Sequence, residues 1–333
     1  MNPRLISVVT PCFNEEGNVR EVYERTRAVM ATLPGYLYEH IFIDNASDDR
    51  TVEILKEIAA RDPNVKIIVN ARNFGHIRSP HHAMLEARGD AVAIILSDLQ
   101  DPPELLRDMV LEWAKGTPIV VGVKVTSEEG GLMYAIRSLY YRTVSRLTDV
   151  KVLEHFTGFG IYDRRVMDIV RTRYTDPYPF FRGIIAEIGL PHKEIPYNQK
   201  RRTHGITKNN FYTLYDIAML GITNLSKVPL RLVTFTGFVS AILSLTVGLF
   251  YLCYKLVMWS SFSVGVAPLV LGLFFLGSVQ LIAMGIIGEY VGSIHTQIQN
   301  RPLVIEKERV NFDLAPVSVA GEFASVDASE RNS

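Results

Sequence analysis

Residues 232–254 form a run of 23 positions without a charge, and after Lys255 residues 256–288 form another of 33. A helix needs about 20 apolar residues to cross a ~30 Å hydrocarbon core. The first run fits one span. The second divides into a short loop around residues 258–265 and one span over residues 266–288. Arg201, Arg202, Lys208, Lys227 and Arg231 precede the first span, Arg301, Lys307 and Arg309 follow the second, and only Lys255 lies between them. The positive-inside rule then places both ends in the cytoplasm and a small hairpin loop outside. The expected location is the cytoplasmic membrane. Residues 5–10 are apolar, but Asn14-Glu15-Glu16 ends that run too early for a signal peptide. Cys12 is expected in the reducing cytosol and Cys253 in the membrane, so no disulfide is expected.

Charge is distributed unevenly along the chain. The formal net charge is +0, which gives no general pull toward nucleic acid. Residues 1–120 carry 13 Lys+Arg and 18 Asp+Glu, residues 121–231 carry 17 and 10, and residues 232–333 carry 5 and 7. An acidic block of −5 is thus followed by a basic block of +7 just before the first span.

The first 230 residues alternate strand and helix patterns. Strands are expected at residues 5–10, 40–44, 65–69, 91–96 and 119–123. Helices are expected at 17–33, 50–60, 80–88 and 102–115, the second begun by Ser47-Asp48-Asp49 and the last with Pro in its first turn. This alternation predicts an α/β domain built on a mostly parallel sheet. In such sheets ligands bind beyond the carboxyl ends of the strands. Three polar loops stand there: residues 11–16, 44–49 and 97–101. There is no G-x-G-x-x-G after the first strand and no G-x-x-x-x-G-K-[ST]. His76, His81 and His82 lack the partners of a zinc site.

At these loops the chain resembles a known family. P-C-F-N-E-E (11–16), I-D-N-A-S-D-D-R-T (43–51), N-F-G-H (73–76), S-D-L-Q-D-P-P-E (97–104) and the double span are similar to family 2 glycosyltransferases of the GT-A fold. The closer likeness is to the polyprenyl-phosphate glycosyltransferases, which include dolichyl-phosphate mannose synthases and bactoprenol glucosyltransferases. The resemblance implies a GT-A domain over residues 1–210 and a juxtamembrane amphipathic segment over 211–231. The apolar runs add a transmembrane hairpin over 232–290, followed by a cytoplasmic tail over 291–333 whose Ala/Ser/Val/Glu-rich part from about residue 314 is expected to be disordered. The resemblance also implies that Pro11, Phe13 and Glu15 contact the nucleotide, and that Asp44 holds its base or ribose. Asp98 and Gln100 would hold a divalent cation, Mg²⁺ or Mn²⁺, together with the pyrophosphate. Arg137, Arg202 and Lys208 would face the phosphate of the lipid acceptor, with Asp98 and Arg137 as the catalytic residues. Asp98 and Gln100 are two residues apart, so an extended chain would point them the same way.

The implied reaction is inverting transfer of a sugar from a nucleotide-sugar, with UDP-glucose favoured, to a polyprenyl phosphate such as undecaprenyl phosphate. GDP-mannose or a UDP-N-acetylhexosamine as donor, or a membrane-anchored nucleotide-sugar binder without transferase activity, are the alternatives. The Q-x-x-R-W motif of processive synthases is absent. Two departures from the family pattern stand out. Leu96 occupies the place of the first acid in the usual Asp-Ala-Asp-Leu-Gln. Thr157-Gly158-Phe159-Gly160-Ile161-Tyr162 stands where many relatives read T-G-D-F-R-L, leaving Glu154 and Asp163 as nearby acids. Ser240, Ser244 and Gly248 in the first span, and Gly288 and Gly292 near the second, allow close helix contact within the hairpin or between copies in a homo-oligomer.

Overall fold

A computed structural model describes residues 3–126, 156–199, 219, 226–257 and 266–317. The chain divides into two compact units. One comprises Met1–Tyr141, Lys151–Asn210 and Asn300–Ser333, and the other comprises Arg142–Val150 and Phe211–Gln299.

The first unit is built on one sheet. Its strands are β1 (Arg4–Cys12), β2 (Tyr36–Asp44), β3 (Val65–Asn70), β4 (Ala91–Ile94), β5 (Ile119–Thr126), β6 (Phe156–Asp163), β7 (His192–Asn198) and β8 (Glu306–Val310), in the order β7-β5-β6-β4-β1-β2-β3-β8. β1 pairs in parallel with β2 and β4, β2 with β3, and β5 with β7. β6 runs antiparallel to β4 and β5, and β8 antiparallel to β3. The helices of this unit are α1 (Val19–Ala31), α2 (Thr51–Ala59), α3 (Gly75–Glu86), α4 (Leu105–Ala114), α5 (Arg164–Arg173) and α6 (Phe181–Ile188).

Successive side chains on a strand point to opposite faces. Ile6, Val8, Phe42 and Ile67 therefore join one buried apolar cluster, while Val9, Ile41, Ile43 and Ile68 join another. Both faces are covered, which is why the strands read as unbroken apolar runs. The strand directions bring the carboxyl ends of β1, β2, β3, β4, β5 and β7 to one edge, where β6 begins.

Most expected elements are present, with shifted ends. α3 begins at Gly75 rather than residue 80, so Pro80 lies inside it. α4 begins at Leu105 because Pro102 and Pro103 form the preceding turn, their carbonyls accepting from the Leu105 and Leu106 amides. β4 ends at Ile94, two residues early.

One strand that the sequence did not announce lies after the apolar helices, ahead of the segment from about residue 314 expected to be disordered. Residues 306–310 return to the sheet as β8. Asn311 donates to the carbonyls of Ala59 (2.8 Å) and Val65 (3.0 Å), and Asn64 exchanges hydrogen bonds with the Val317 backbone. Lys56 pairs with Glu308 at 2.7 Å and Arg309 with Glu86 at 2.8 Å. Phe312, 8% exposed, closes the core over Lys66, whose ammonium lies 5.6 Å from the ring and pairs with the buried Glu39.

Two buried histidines are expected to oppose folding as pH falls, against the opposite pull of the buried Asp44 and Asp101. His40 is buried on β2 with Nε2 2.9 Å from Thr10 Oγ1, and burial pulls its pKa down to about 3. Burial, with His82 nearby, lowers that of His81 to about 4. In the unfolded chain both titrate near 6.5. Between about pH 4 and 6.5 the unfolded chain therefore binds protons that the folded chain does not, and stability falls as pH falls through that window. The thermal midpoint is expected to drop between pH 7.5 and pH 5. A midpoint that stays level over that range would contradict the burial of neutral histidines.

The second unit contains α7 (Val228–Val257) and α8 (Val266–Ile298). Each is long and apolar enough to cross a membrane, with candidate spans at Val228–Phe250 and Gly272–Ile298. Phe235, Phe250, Leu273, Phe274 and Leu281 are exposed. The hydroxyls of Thr236, Thr246 and Ser278 bond to carbonyls four residues back, which satisfies them without water. Tyr290 of α8 donates to the Ser226 carbonyl at 2.6 Å.

Candidate active site

The three polar loops do meet at one edge of the sheet. β1 lies between β4 and β2, with Cys12 opposite Asp44 and Val9 opposite Ile94. Neighbouring strands are about 4.8 Å apart, so the ends of β4 and β2 lie roughly 10 Å apart. Each loop contains one non-glycine residue with a left-handed backbone: Asn14 (φ 56°), Ala46 (φ 62°) and Leu99 (φ 55°). For Ala and Leu this conformation costs about 1–2 kcal/mol. Strain of this kind persists only where the surroundings impose it, and it collects at functional sites.

Side-chain to backbone bonds supply the constraint. The Asn14 amide donates to Ser47 Oγ at 2.8 Å, the Glu15 amide to Thr51 Oγ1 at 2.9 Å and the Glu16 amide to Asp49 at 3.1 Å. In return Asn14 Oδ1 accepts from the Asp48 amide at 2.9 Å and Glu16 from the Arg50 amide at 3.1 Å. The first two loops are thereby joined. Of the three residues expected to begin α2, Asp49 accepts from the Thr51 amide.

Asp98 and Gln100 lie four and six residues beyond β4, both half-buried. Their link is a turn, not the extended chain expected. Leu99 is left-handed, and Asp98 Oδ1 accepts from the Gln100 amide at 3.2 Å. Pro11 and Phe13 are half-buried at the end of β1, and Glu15 is 8% exposed with Oε2 accepting from Asn18 at 2.6 Å. Asp44 is fully buried. Its carboxylate accepts from both the amide and the hydroxyl of Ser47, and burial raises its pKa against the pull of those bonds. Asp44 thus organises the 44–47 turn. Burial also pushes the Cys12 thiol well up, which keeps it an unreactive packing group.

Arg137, Arg202, Lys208 and Glu154 lie outside the described residues. Asp163, named above only as a nearby acid, lies away from the polar loops. It ends β6 opposite Ala91, the first residue of β4, and so stands at the far edge from Asp98. There it caps α5 by accepting from the Arg165 amide at 3.0 Å and takes the Trp113 indole N–H at 2.9 Å. Phe159 is 1% exposed and belongs to the core.

Sequence reasoning missed Asn45. Its amide nitrogen donates to Asn73 Oδ1 (2.8 Å) and to the Gly75 carbonyl (3.3 Å), while its oxygen accepts from Asn70 (3.1 Å) and the Phe74 amide (2.9 Å). Asn45 ties the loop after β3 to the loop after β2. Three asparagines at polar strand ends were the available signal.

Among the described residues no group of three or more His, Cys, Asp or Glu side chains converges as a metal cage. Asp98 and Gln100 offer one carboxylate and one amide oxygen. These are hard donors, and they fit a Mg²⁺ or Mn²⁺ that takes its other ligands from phosphate and water.

Residues 7–171 match the family model described as glycosyl transferase family 2. The chain is 35% identical to an uncharacterized glycosyltransferase, YkcC, of Bacillus subtilis over 92% of its own length and 94% of that protein's. It is 30% identical to the uncharacterized glycosyltransferase sll0501 of Synechocystis, over 94% and 98%. To the bactoprenol glucosyl transferase of Shigella phage SfII it is 32% identical over 91% and 97%. Spanning most of these relatives end to end, with the polar loops gathered at one sheet edge, the chain belongs to glycosyltransferase family 2.

Proposed function

We propose that this glycosyltransferase moves a sugar from a nucleotide-sugar to a polyprenyl phosphate at the cytoplasmic face of a membrane, with UDP-glucose as donor. The observation that carries the reading is the strand-end loop holding Asp98 and Gln100, beside the strained loops of β1 and β2. The likeness to a bactoprenol glucosyl transferase over 97% of that protein's length supports the acceptor. It supports glucose as the sugar too.

The hairpin reading draws on connectivity. β7 precedes α7 and β8 follows α8, yet both strands belong to one sheet. A chain that leaves and re-enters one sheet makes an even number of crossings, so two spans are consistent and one is not. The basic flanks select the cytoplasmic side.

The reaction is one displacement. A phosphate oxygen of the lipid attacks the anomeric carbon, the bond from that carbon to the diphosphate breaks, and the nucleoside diphosphate leaves with the electron pair. The configuration inverts. The nucleophile is already anionic, so no strong base is required, which accords with Phe159 in place of an acid. Pro11, Phe13 and Glu15 frame the nucleotide. Asp44 holds the turn beneath the base or ribose. Asp98 and Gln100 would hold a divalent cation, which would supply positive charge to the leaving diphosphate. Catalysis is positioning plus charge stabilisation. Arg137, Arg202 and Lys208 receive the acceptor phosphate through charge-assisted hydrogen bonds. β5 and β7 both end at the site edge, and Arg202 follows the end of β7 by four residues.

A panel of UDP-glucose, UDP-N-acetylglucosamine and GDP-mannose, each with undecaprenyl phosphate and with or without EDTA, tests the reading. Glucose transfer abolished by EDTA and restored by Mg²⁺ or Mn²⁺ is expected. Nucleotide-sugar binding without transfer from any donor would favour a non-catalytic binder. Arg202→Ala is expected to raise the apparent KM for lipid phosphate by about tenfold, the loss of one charge-assisted contact, with a smaller change for the donor. The reverse split would remove Arg202 from the acceptor site.

A further inference from the structure

Asp101 closes the loop that carries Asp98 and Gln100. It is 0% exposed, and its Oδ1 accepts the hydroxyl proton of Tyr197 on β7, a residue 96 positions away in sequence. Asp101 Oδ2 is buried and has no hydrogen-bond partner among the described residues. The Tyr197 hydroxyl is thus the hydrogen-bond donor that this carboxyl has among the described residues.

The tyrosine is itself held in place. It is 6% exposed and meets the Phe159 ring edge-on, with centroids 5.5 Å apart. Gly122 on β5 makes room for both rings: a Cβ there would stand 2.5 Å from Phe159 Cδ1 and 3.0 Å from Tyr197 Cε1. Lys124 is the strand partner of Tyr197, and its charge acts on Asp101. At its other end the loop is pinned by the Ile95 amide, which donates to the Val9 carbonyl at 3.0 Å. Between the two anchors stands Leu99 with its left-handed backbone.

We infer that Tyr197 and Asp101 are a positioning pair that holds the 96–101 loop in the strained form presenting Asp98 and Gln100 to the cation and the donor diphosphate. The inference rests on the proposed roles of those two residues. Without the tyrosine hydroxyl the strained turn loses its distal anchor, and a buried carboxyl loses the bond that offsets its desolvation. Groups that orient metal ligands in this way typically change metal affinity about 10–100-fold when removed.

Tyr197→Phe keeps the ring against Phe159 and removes only the hydroxyl. In the detergent-solubilised full chain, UDP binding in the presence of Mn²⁺ is measured by calorimetry, beside thermal midpoint and steady-state kinetics. Expected are about tenfold weaker UDP–Mn²⁺ binding, a higher Mn²⁺ requirement for transfer, and a KM for lipid phosphate within about twofold of wild type. Asp101→Asn, which keeps an acceptor for the tyrosine, is expected to bind more tightly than Asp101→Ala. The Asp101→Ala/Tyr197→Phe double variant is expected to bind no more weakly than Asp101→Ala alone. If Asp98→Ala weakens UDP–Mn²⁺ binding while Tyr197→Phe changes only the thermal midpoint, the positioning role is overturned and the donor-site reading stands. If wild type shows no Mn²⁺-dependent UDP binding, both fall.

Discussion

Replacing Asp98 with alanine is expected to lower sugar transfer by about 10²–10³-fold, the scale for removing one preorganised electrostatic contact to a developing charge. The thermal midpoint is expected to change little. Asp98 is half-buried in a loop beyond β4 and is not part of the apolar clusters that hold the sheet. Substitutions at such positions usually change stability by less than about 0.5 kcal/mol. The loss should therefore appear in kcat and in the Mn²⁺ dependence, with far-UV circular dichroism unchanged. Turnover near wild type would remove Asp98 from the mechanism and with it the assignment of the cation site.

Ending the chain after residue 299 is expected to abolish cooperative folding of the sheet-bearing unit, although every residue of the three site loops remains. The missing segment supplies β8, and its loss leaves β3 as an open edge. It also removes Phe312 from the core, which costs about 3–5 kcal/mol for a buried aromatic ring, and strips the cover from the buried Lys66–Glu39 pair. The bonds of Asn311 to the Ala59 and Val65 carbonyls, and of Asn64 to the returning chain, go too. These losses together compare with the whole stability of a typical domain, about 5–15 kcal/mol. Ending the chain after residue 317 keeps all of these contacts and is expected to unfold like the full chain. Tryptophan fluorescence through a thermal ramp separates the two truncations. A sharp transition in the shorter chain would show that β8 is dispensable.

The legible and illegible parts of this molecule differ in range. The strands β1 to β5 and the polar residues at their ends could be read because both signals are local. An apolar run buried on two faces shows itself within six residues, and so does the acid or amide that ends it. The two long apolar helices were legible for the same reason. β8 was not, since its sequence Glu306-Lys307-Glu308-Arg309-Val310 carries four charges and no apolar run. An edge strand has one partner and tolerates charge on its open side, so nothing in its composition announces it. The connections that hold the site were equally hidden. Asn45 joins Asn70 and Asn73, and Asp101 meets Tyr197, through contacts that only the sheet order creates. Asp163 shows how nearness in sequence differs from nearness in the sheet. It is near Phe159 in sequence, but β6 runs antiparallel to β4 and carries it to the far edge.

The acceptor is the central claim, and phase partition of labelled sugar tests it most directly. The full chain in phospholipid nanodiscs is incubated with UDP-[¹⁴C]glucose and Mn²⁺, once with undecaprenyl phosphate and once with undecaprenol, and then extracted into organic solvent. Label is expected in the organic phase with the phosphate and not with the alcohol, and excess UDP should drive it back to the nucleotide. Label that reaches the organic phase equally with undecaprenol, or none with either lipid while UDP-glucose still binds, would contradict the account.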